Sequence, residues 1–132
     1  MMTGLNHITI AVNDLELSFK FYVDVLQMMP KARWSTGAYL TLGDTWFCLS
    51  KDQALPSQDY SHIALSIDAE NFSEFSQMLK DLGVVEWKQN RSEGDSIYLL
   101  DPSGNKLEVH CGNLESRLNH LKAEDRDDLV FY

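Results

Sequence analysis

Two stretches of this chain repeat one design, and they constrain the fold more than any other feature. Leu5–Val12 (LNHITIAV) alternates with period two, so Ile8, Ile10 and Val12 fall on one face of a strand and His7, Thr9 and Ala11 on the other. Tyr60–Ile67 (YSHIALSI) does the same, with Ile63, Leu65 and Ile67 on the packing face and His62, Ala64 and Ser66 opposite. Each strand therefore offers one histidine, at the matching place, on the face turned away from apolar packing.

The elements after each strand also repeat. Asn13–Met29 reads as a helix capped by Asn13 or Asp14, with Leu15, Phe19, Tyr22 and Leu26 at helical spacing and Pro30 closing the element. A short strand at Ala32–Trp34 comes next, then a hairpin of Gly37–Leu42 and Thr45–Ser50 turning at Gly43-Asp44. In the second half a helix over Ala69–Leu82 carries Phe72, Phe75, Met78, Leu79 and Leu82 on its apolar face and ends at Gly83. Val84–Lys88 reads as a strand, Gln89–Asp95 as a loop, and Ser96–Leu100 with Lys106–His110 as a hairpin across Asp101-Pro102-Ser103-Gly104. Each half is βαβββ. His7 falls on His62 at an offset of 55, and with one inserted residue Phe19 falls on Phe75 and Leu26 on Leu82. The expected organisation is α+β: a first module over 1–50, a polar linker over 51–59, a second module over 60–112, and a C-terminal helix and tail over 113–132, all in one domain. The acidic run Glu124–Asp128 reads as solvated surface.

Composition narrows the function. The net charge is 11 − 20 = −9, which argues against nucleic acid as a partner. An anionic ligand would instead need locally concentrated Lys and Arg. Cys48 and Cys111 have no CxxC spacing, so a disulfide framework is not expected. The start MMTGLNH carries no basic region followed by an apolar one, and no apolar run approaches the ~18 residues of a membrane span. The expected location is the cytoplasm.

The chemistry gathers on the faces turned from the packing. In the last strand Lys106, Glu108 and His110 share a face while Leu107 and Val109 pack away from it. A carboxylate on an inner face is costly to bury unless paired. Two imidazoles and a carboxylate on the inner faces of curved sheets make a divalent metal site of His7, His62 and Glu108. The first-half position facing Glu108 is Phe47 or Cys48, neither a hard oxygen ligand, which leaves coordination positions for water or substrate. Lys88–Tyr98 (KQNRSEGDSIY) is rich in side-chain and backbone oxygens and has a flexible glycine, which suits a weakly held cation or an oxyanion. Lys88, Arg91 and Arg117 are the positive charges that an anionic substrate would need there.

These residues match a known pattern. The strings LNHITIAV, ARWSTGAYLTLGDTWFCLS, DYSHIAL, WKQNRSEGDSIYLLDPSGNKLEVHCG and SRL resemble the fosfomycin-resistance glutathione transferases of the vicinal oxygen chelate (glyoxalase) superfamily, and they span residues 3 to about 118. The resemblance implies two βαβββ modules in a curved sheet and a homodimer with shared sites. It implies Mn(II) on His7, His62 and Glu108, with Thr9 by the oxirane oxygen and Tyr39 near the incoming thiol. Lys88, Ser92, Ser96, Tyr98 and Arg117 would hold the phosphonate, with Trp46 lining the pocket. Asn90, Ser92, Glu93, Gly94 and Ser96 would form a potassium loop. Trp34, Ser50 and Arg91 would line the glutathione groove. The sequence departs from the pattern at Ile63, where relatives often carry Tyr, and in a tail that lacks their Pro-Tyr segment.

Two other readings compete. The same scaffold hosts isomerases and Fe(II) dioxygenases, which need no phosphonate clamp, so Lys88, Ser92, Ser96 and Arg117 count against them. A non-catalytic drug-binding protein needs no metal ligands, so His7, His62 and Glu108 count against it.

Overall fold

A computed structural model describes all residues 1–132, which form two compact units: Met1–His62 with Leu100–Lys106, and Ile63–Leu99 with Leu107–Tyr132.

The first unit is built on a four-stranded sheet of β1 (His7–Val12), β2 (Met29–Trp34), β3 (Gly37–Leu42) and β4 (Thr45–Lys51), in the order β1-β4-β3-β2. β1 and β4 run parallel, with His7 opposite Trp46 and Thr9 opposite Cys48, while β3 is antiparallel to both its neighbours. The period-two pattern works as read. Val12, Ala38, Leu40, Phe47 and Leu49 are buried on one face, and His7 and Thr9 stand exposed on the other. The parallel pair requires a crossover, which the helical segment after β1 supplies.

That segment departs from the expected single helix. α1 (Leu15–Lys20) starts at Asp14, whose carboxylate accepts from the Leu17 amide at 3.0 Å. It then widens into a π-turn over Phe21–Val25. The wide turn shifts the helical phase, so Phe21 and Tyr22 are both buried beside Leu15, Ser18 and Leu26. Pro30 does not close the helix. The helix ends at Leu26, Gln27 takes a left-handed φ of 58°, and β2 begins at Met29, three residues earlier than read, with Pro30 beside an irregularity in its pairing. Pro is tolerated there because a broken ladder needs no donor from it.

A buried carboxylate completes this unit. Asp101 is 4% exposed; its Oδ1 accepts from the amides of Ser103 (2.9 Å) and Asn105 (2.8 Å), and its Oδ2 from the Asn105 side chain (2.8 Å) and the Tyr22 hydroxyl (2.7 Å). Four donors offset the cost of burying the charge. Burial first, and the Asp101 charge second, push the Tyr22 phenol far above its ordinary value. The consequence for stability has a definite sign. A phenol raised in the folded chain ionises first in the unfolded one, at about pH 10. Stability is therefore expected to hold below that pH and to fall above it. Tyr22→Phe should flatten this alkaline slope in urea titrations at stepped pH, while lowering stability near pH 7 by about 1–2 kcal/mol for the lost donor.

The second unit repeats the topology. β5 (Ile63–Ser66), β6 (Glu86–Lys88), β7 (Ser96–Leu100) and β8 (Lys106–His110) lie in the order β5-β8-β7-β6, with β5 parallel to β8 and Ala64 opposite Glu108. Thr9 faces Cys48 in the first unit as Ala64 faces Glu108 here, so Cys48, and not Phe47, is the counterpart of Glu108. β5 is shorter than read, and His62 lies just ahead of it. α2 (Ala69–Asp81) ends where expected, with Gly83 at φ 68°. α3 (Leu114–Lys122) opens on a reciprocal cap between Asn113 and Ser116. Leu79, Ile97, Tyr98, Leu99, Leu107 and Val109 are the buried core residues of this unit.

Candidate metal and substrate site

The open face of the first sheet carries a diagonal of rings. His7 lies 4.5 Å from Trp46, Trp46 meets Tyr39 edge-on at 5.1 Å, and Tyr39 meets Trp34 at 4.8 Å. The diagonal crosses all four strands, and alternation puts every member on the side away from the core. Gly37 makes room at its end: a Cβ there would sit 2.6 Å from the Trp34 ring. Tyr39 and Trp34 remain 40% and 43% exposed, so the face can receive a ligand. Thr9 stands one pleat from His7 on the same face, and Ser50 is exposed at the far end of β4.

Both expected imidazole ligands are oriented through Nδ1. His7 Nδ1 is 2.7 Å from the Asn6 side-chain oxygen, and His62 Nδ1 is 2.7 Å from the Tyr60 carbonyl, with the Tyr60 ring edge-on at 4.9 Å. An Nδ1–H donated to oxygen makes Nε2 the lone-pair atom of each ring, the arrangement that metal-binding histidines use.

In the second unit the polar face is buried at Ser96, Tyr98 and Glu108, while Ala64 and Ser66 on β5 are exposed. Glu108 is 7% exposed and Ser96 8%, and the Ser96 hydroxyl donates to Glu108 Oε1 at 2.7 Å. His110 Nδ1 is 2.6 Å from the same hydroxyl. Tyr98 is also buried, with the Lys88 ammonium 4.7 Å from its ring centre and Trp87 at 5.2 Å. The 89–95 loop is tied by Asn90, whose amide donates to the Gly94 carbonyl at 2.7 Å and whose oxygen accepts from both the amide and the hydroxyl of Ser92. Arg117 reaches the loop from α3, donating from Nε to Glu93 Oε2 at 3.3 Å and from Nη2 to the Glu93 carbonyl at 3.2 Å. Arg91 is exposed. Burial, with Asp95 and Asp68 nearby, pushes the Cys111 thiol up, so it is no ready thiolate.

The structure thus joins His7, Trp46, Tyr39 and Trp34 on one sheet, and Ser96 with Glu108 and Asn90 with Ser92 and Gly94 in the other unit. No three His, Cys, Asp or Glu side chains gather around a common point within one chain. The fit to a divalent cation therefore rests on donor chemistry: two imidazoles oriented for Nε2 ligation and a buried carboxylate. His110 is the residue to which sequence alone assigns no part; its only signal there is its shared face with Glu108. No helix is long and apolar enough to cross a membrane.

The family model for the Glyoxalase/Bleomycin resistance protein/Dioxygenase superfamily matches residues 4–109. Glutathione transferase FosA of Serratia marcescens is 48% identical over 136 aligned positions, covering 99% of this chain and 96% of its own. Metallothiol transferase FosB of Staphylococcus epidermidis is 39% identical, covering 94% and 92%. Among solved structures, a point mutant of the fosfomycin resistance protein FosX of Listeria monocytogenes, complexed with Mn(II) and 1S,2S-dihydroxypropylphosphonic acid, superposes with a TM-score of 0.81 at 29% identity, covering 89% of this chain and 99% of that one.

Proposed function

This chain belongs to the glyoxalase/bleomycin resistance protein/dioxygenase superfamily and, within it, to the fosfomycin-resistance thiol transferases, and from that membership we propose that it adds glutathione to the epoxide of fosfomycin. The observation that carries the proposal is Glu108: a carboxylate 7% exposed, on the polar face of β8, held by a serine hydroxyl. A buried carboxylate on the strand face that carries the other polar side chains is the kind of group a cation site uses.

Glu108 and the Nε2 atoms of His7 and His62 would hold a divalent cation, with Mn(II) favoured by the FosX complex. When bound, the cation supplies Lewis-acid polarisation of the epoxide oxygen. The chain's own residues do the rest. Lys88, Arg117, Ser92 and Tyr98 supply the charge and donors that fix a phosphonate. Thr9 donates a hydrogen bond to the epoxide oxygen as the carbon–oxygen bond breaks, and the proton given up by the thiol ends on that oxygen, so Thr9 finishes unchanged. The thiol sulfur forms the new bond to that carbon, from the side opposite the leaving oxygen, so the centre inverts. Tyr39, Trp34 and Ser50, on the open face of the first sheet, line the approach of the thiol, with Arg91 a cation for its carboxylates. Alignment of the two reactants supplies much of the rate. The loop of Asn90, Ser92, Glu93, Gly94 and Ser96 would hold potassium beside the phosphonate, so activity should rise with potassium and respond weakly to sodium. The active species is a homodimer, in which His7 of one subunit completes the site of His62 and Glu108 of the other.

A second reading replaces the thiol by water. The diol phosphonate bound to the FosX relative favours it. Mass detection separates the two: incubation with fosfomycin, glutathione, Mn(II) and potassium should give the glutathione adduct. A diol formed without glutathione would transfer the assignment to water, and no turnover with thiol or water in a metal-loaded protein would overturn both.

A further inference from the structure

We infer that His110 is a positioning residue for the Glu108 carboxylate, acting through the Ser96 hydroxyl. The inference rests on the proposal that Glu108 holds a cation. Proton counting decides the roles of the three groups. Ser96 Oγ lies 2.7 Å from Glu108 Oε1 and 2.6 Å from His110 Nδ1. A hydroxyl has one proton and two lone pairs, and an ionised carboxylate can only accept. The proton is therefore committed to Glu108, and His110 must carry its own proton on Nδ1 and donate to Ser96. The direct separation of His110 Nδ1 from Glu108 Oε1 is 3.5 Å, too long for a good hydrogen bond, so the ring works through the serine. Two donors in series, N–H to O–H to carboxylate, strengthen one another in a buried setting and fix the rotation of the carboxylate.

The ring itself is held in a slot made by two glycines. A Cβ on Gly94 would come within 2.9 Å of His110 Cε1 and 2.4 Å of the Cys111 carbonyl. A Cβ on Gly112 would come within 3.1 Å of His110 Nε2 and 2.9 Å of Ser116 Oγ. Both glycines have left-handed φ, 77° and 126°. The Cys111 amide donates to the Asp95 carbonyl at 2.8 Å and closes the loop around the ring. The side chain of His110 is left 16% exposed. The slot fixes where the imidazole stands, the imidazole fixes the serine proton, and the serine fixes the carboxylate. A consequence is that Ser96 has no proton left for a phosphonate while it serves Glu108. Its remaining lone pair suits a cation, which is its other expected part.

The test is Mn(II) affinity of the full chain, read from the free-ion electron paramagnetic resonance signal, for wild type and six variants. His110→Ala and Ser96→Ala should each weaken binding by about tenfold or more, as loss of an outer partner does. The double variant should be no weaker than the worse single, because the two act in series. His110→Asn, which keeps an N–H near the Nδ1 position, should recover most of the affinity, and His110→Leu should not. A merely structural histidine would lower the melting temperature of His110→Ala and leave the dissociation constant unchanged. If His110→Ala does not fold, the Asn and Leu variants decide: equal affinities overturn the inference. Glu108→Ala separates the two levels. If it binds Mn(II) like wild type, the metal reading itself fails. If it loses Mn(II) while His110→Leu and Ser96→Ala do not, only the role of His110 fails.

Discussion

Glu108→Ala is expected to lower kcat/KM for glutathione–fosfomycin adduct formation by at least about a thousandfold, the equivalent of about 4 kcal/mol of transition-state stabilisation. The size reflects the carboxylate's part in the proposed site. It would be the only anionic ligand, so its removal weakens the cation and with it the polarisation of the epoxide oxygen. The replacement also leaves the Ser96 hydroxyl without its acceptor in a buried setting. Glu108→Gln keeps the shape and an acceptor oxygen but not the charge, so it should fall between the two. Thr9→Ala removes one donor on an exposed strand face and should slow the reaction by about 10- to 100-fold with little change in Mn(II) content. Adduct mass, metal content and circular dichroism, measured together, distinguish a lost ligand from a lost fold. Full activity in Glu108→Ala would remove the metal mechanism.

Much of this arrangement is legible in the sequence because it depends on local periodicity. β3, β7 and β8 occupy the residues read for them, and β4 differs by one, because their turns carry strong signals at Gly43-Asp44 and Asp101–Gly104. Alternation places His7 and Thr9 on the open face without any knowledge of what they do. Some misreadings trace to contacts between distant residues and one to local backbone geometry. The π-turn brings Tyr22 to Asp101, a hydrogen bond 79 residues apart that no local pattern contains. The left-handed Gln27 ends the helix before Pro30 can. Asp101 reads as an ordinary turn residue but is a buried acceptor of four hydrogen bonds. His110 reads as one polar residue of a strand, yet the glycines at 94 and 112 are what make it part of the Glu108 cluster. The paired histidines show where chemistry is possible, and the groups that orient them, Asn6 and the Tyr60 carbonyl, are sequence neighbours; it is the surroundings of Glu108 that come from tertiary structure.

Mixing chains that carry His7→Ala with chains that carry Glu108→Ala is expected to restore about a quarter of wild-type activity from two samples that are each inactive. The family resemblance implies the shared site, and the first sheet is open to it. Its open face presents His7 and Thr9 to solvent and leaves Tyr39 and Trp34 about two-fifths exposed, an aromatic surface of the kind that receives a partner or a ligand. A twofold dimer in which this face completes the partner's site uses the same contact twice, as closed symmetry requires. In such a dimer each site takes His7 from one subunit and His62 with Glu108 from the other. Random exchange makes about half of the dimers mixed. In a mixed dimer one site collects both defects and the other collects neither, so one site in two works. Half of the dimers with half of their sites intact gives the quarter. Exchange has to be driven by dilution or mild denaturant and verified by native mass spectrometry of differently tagged chains. Mixed dimers that are present but inactive would show that each site is drawn from a single chain.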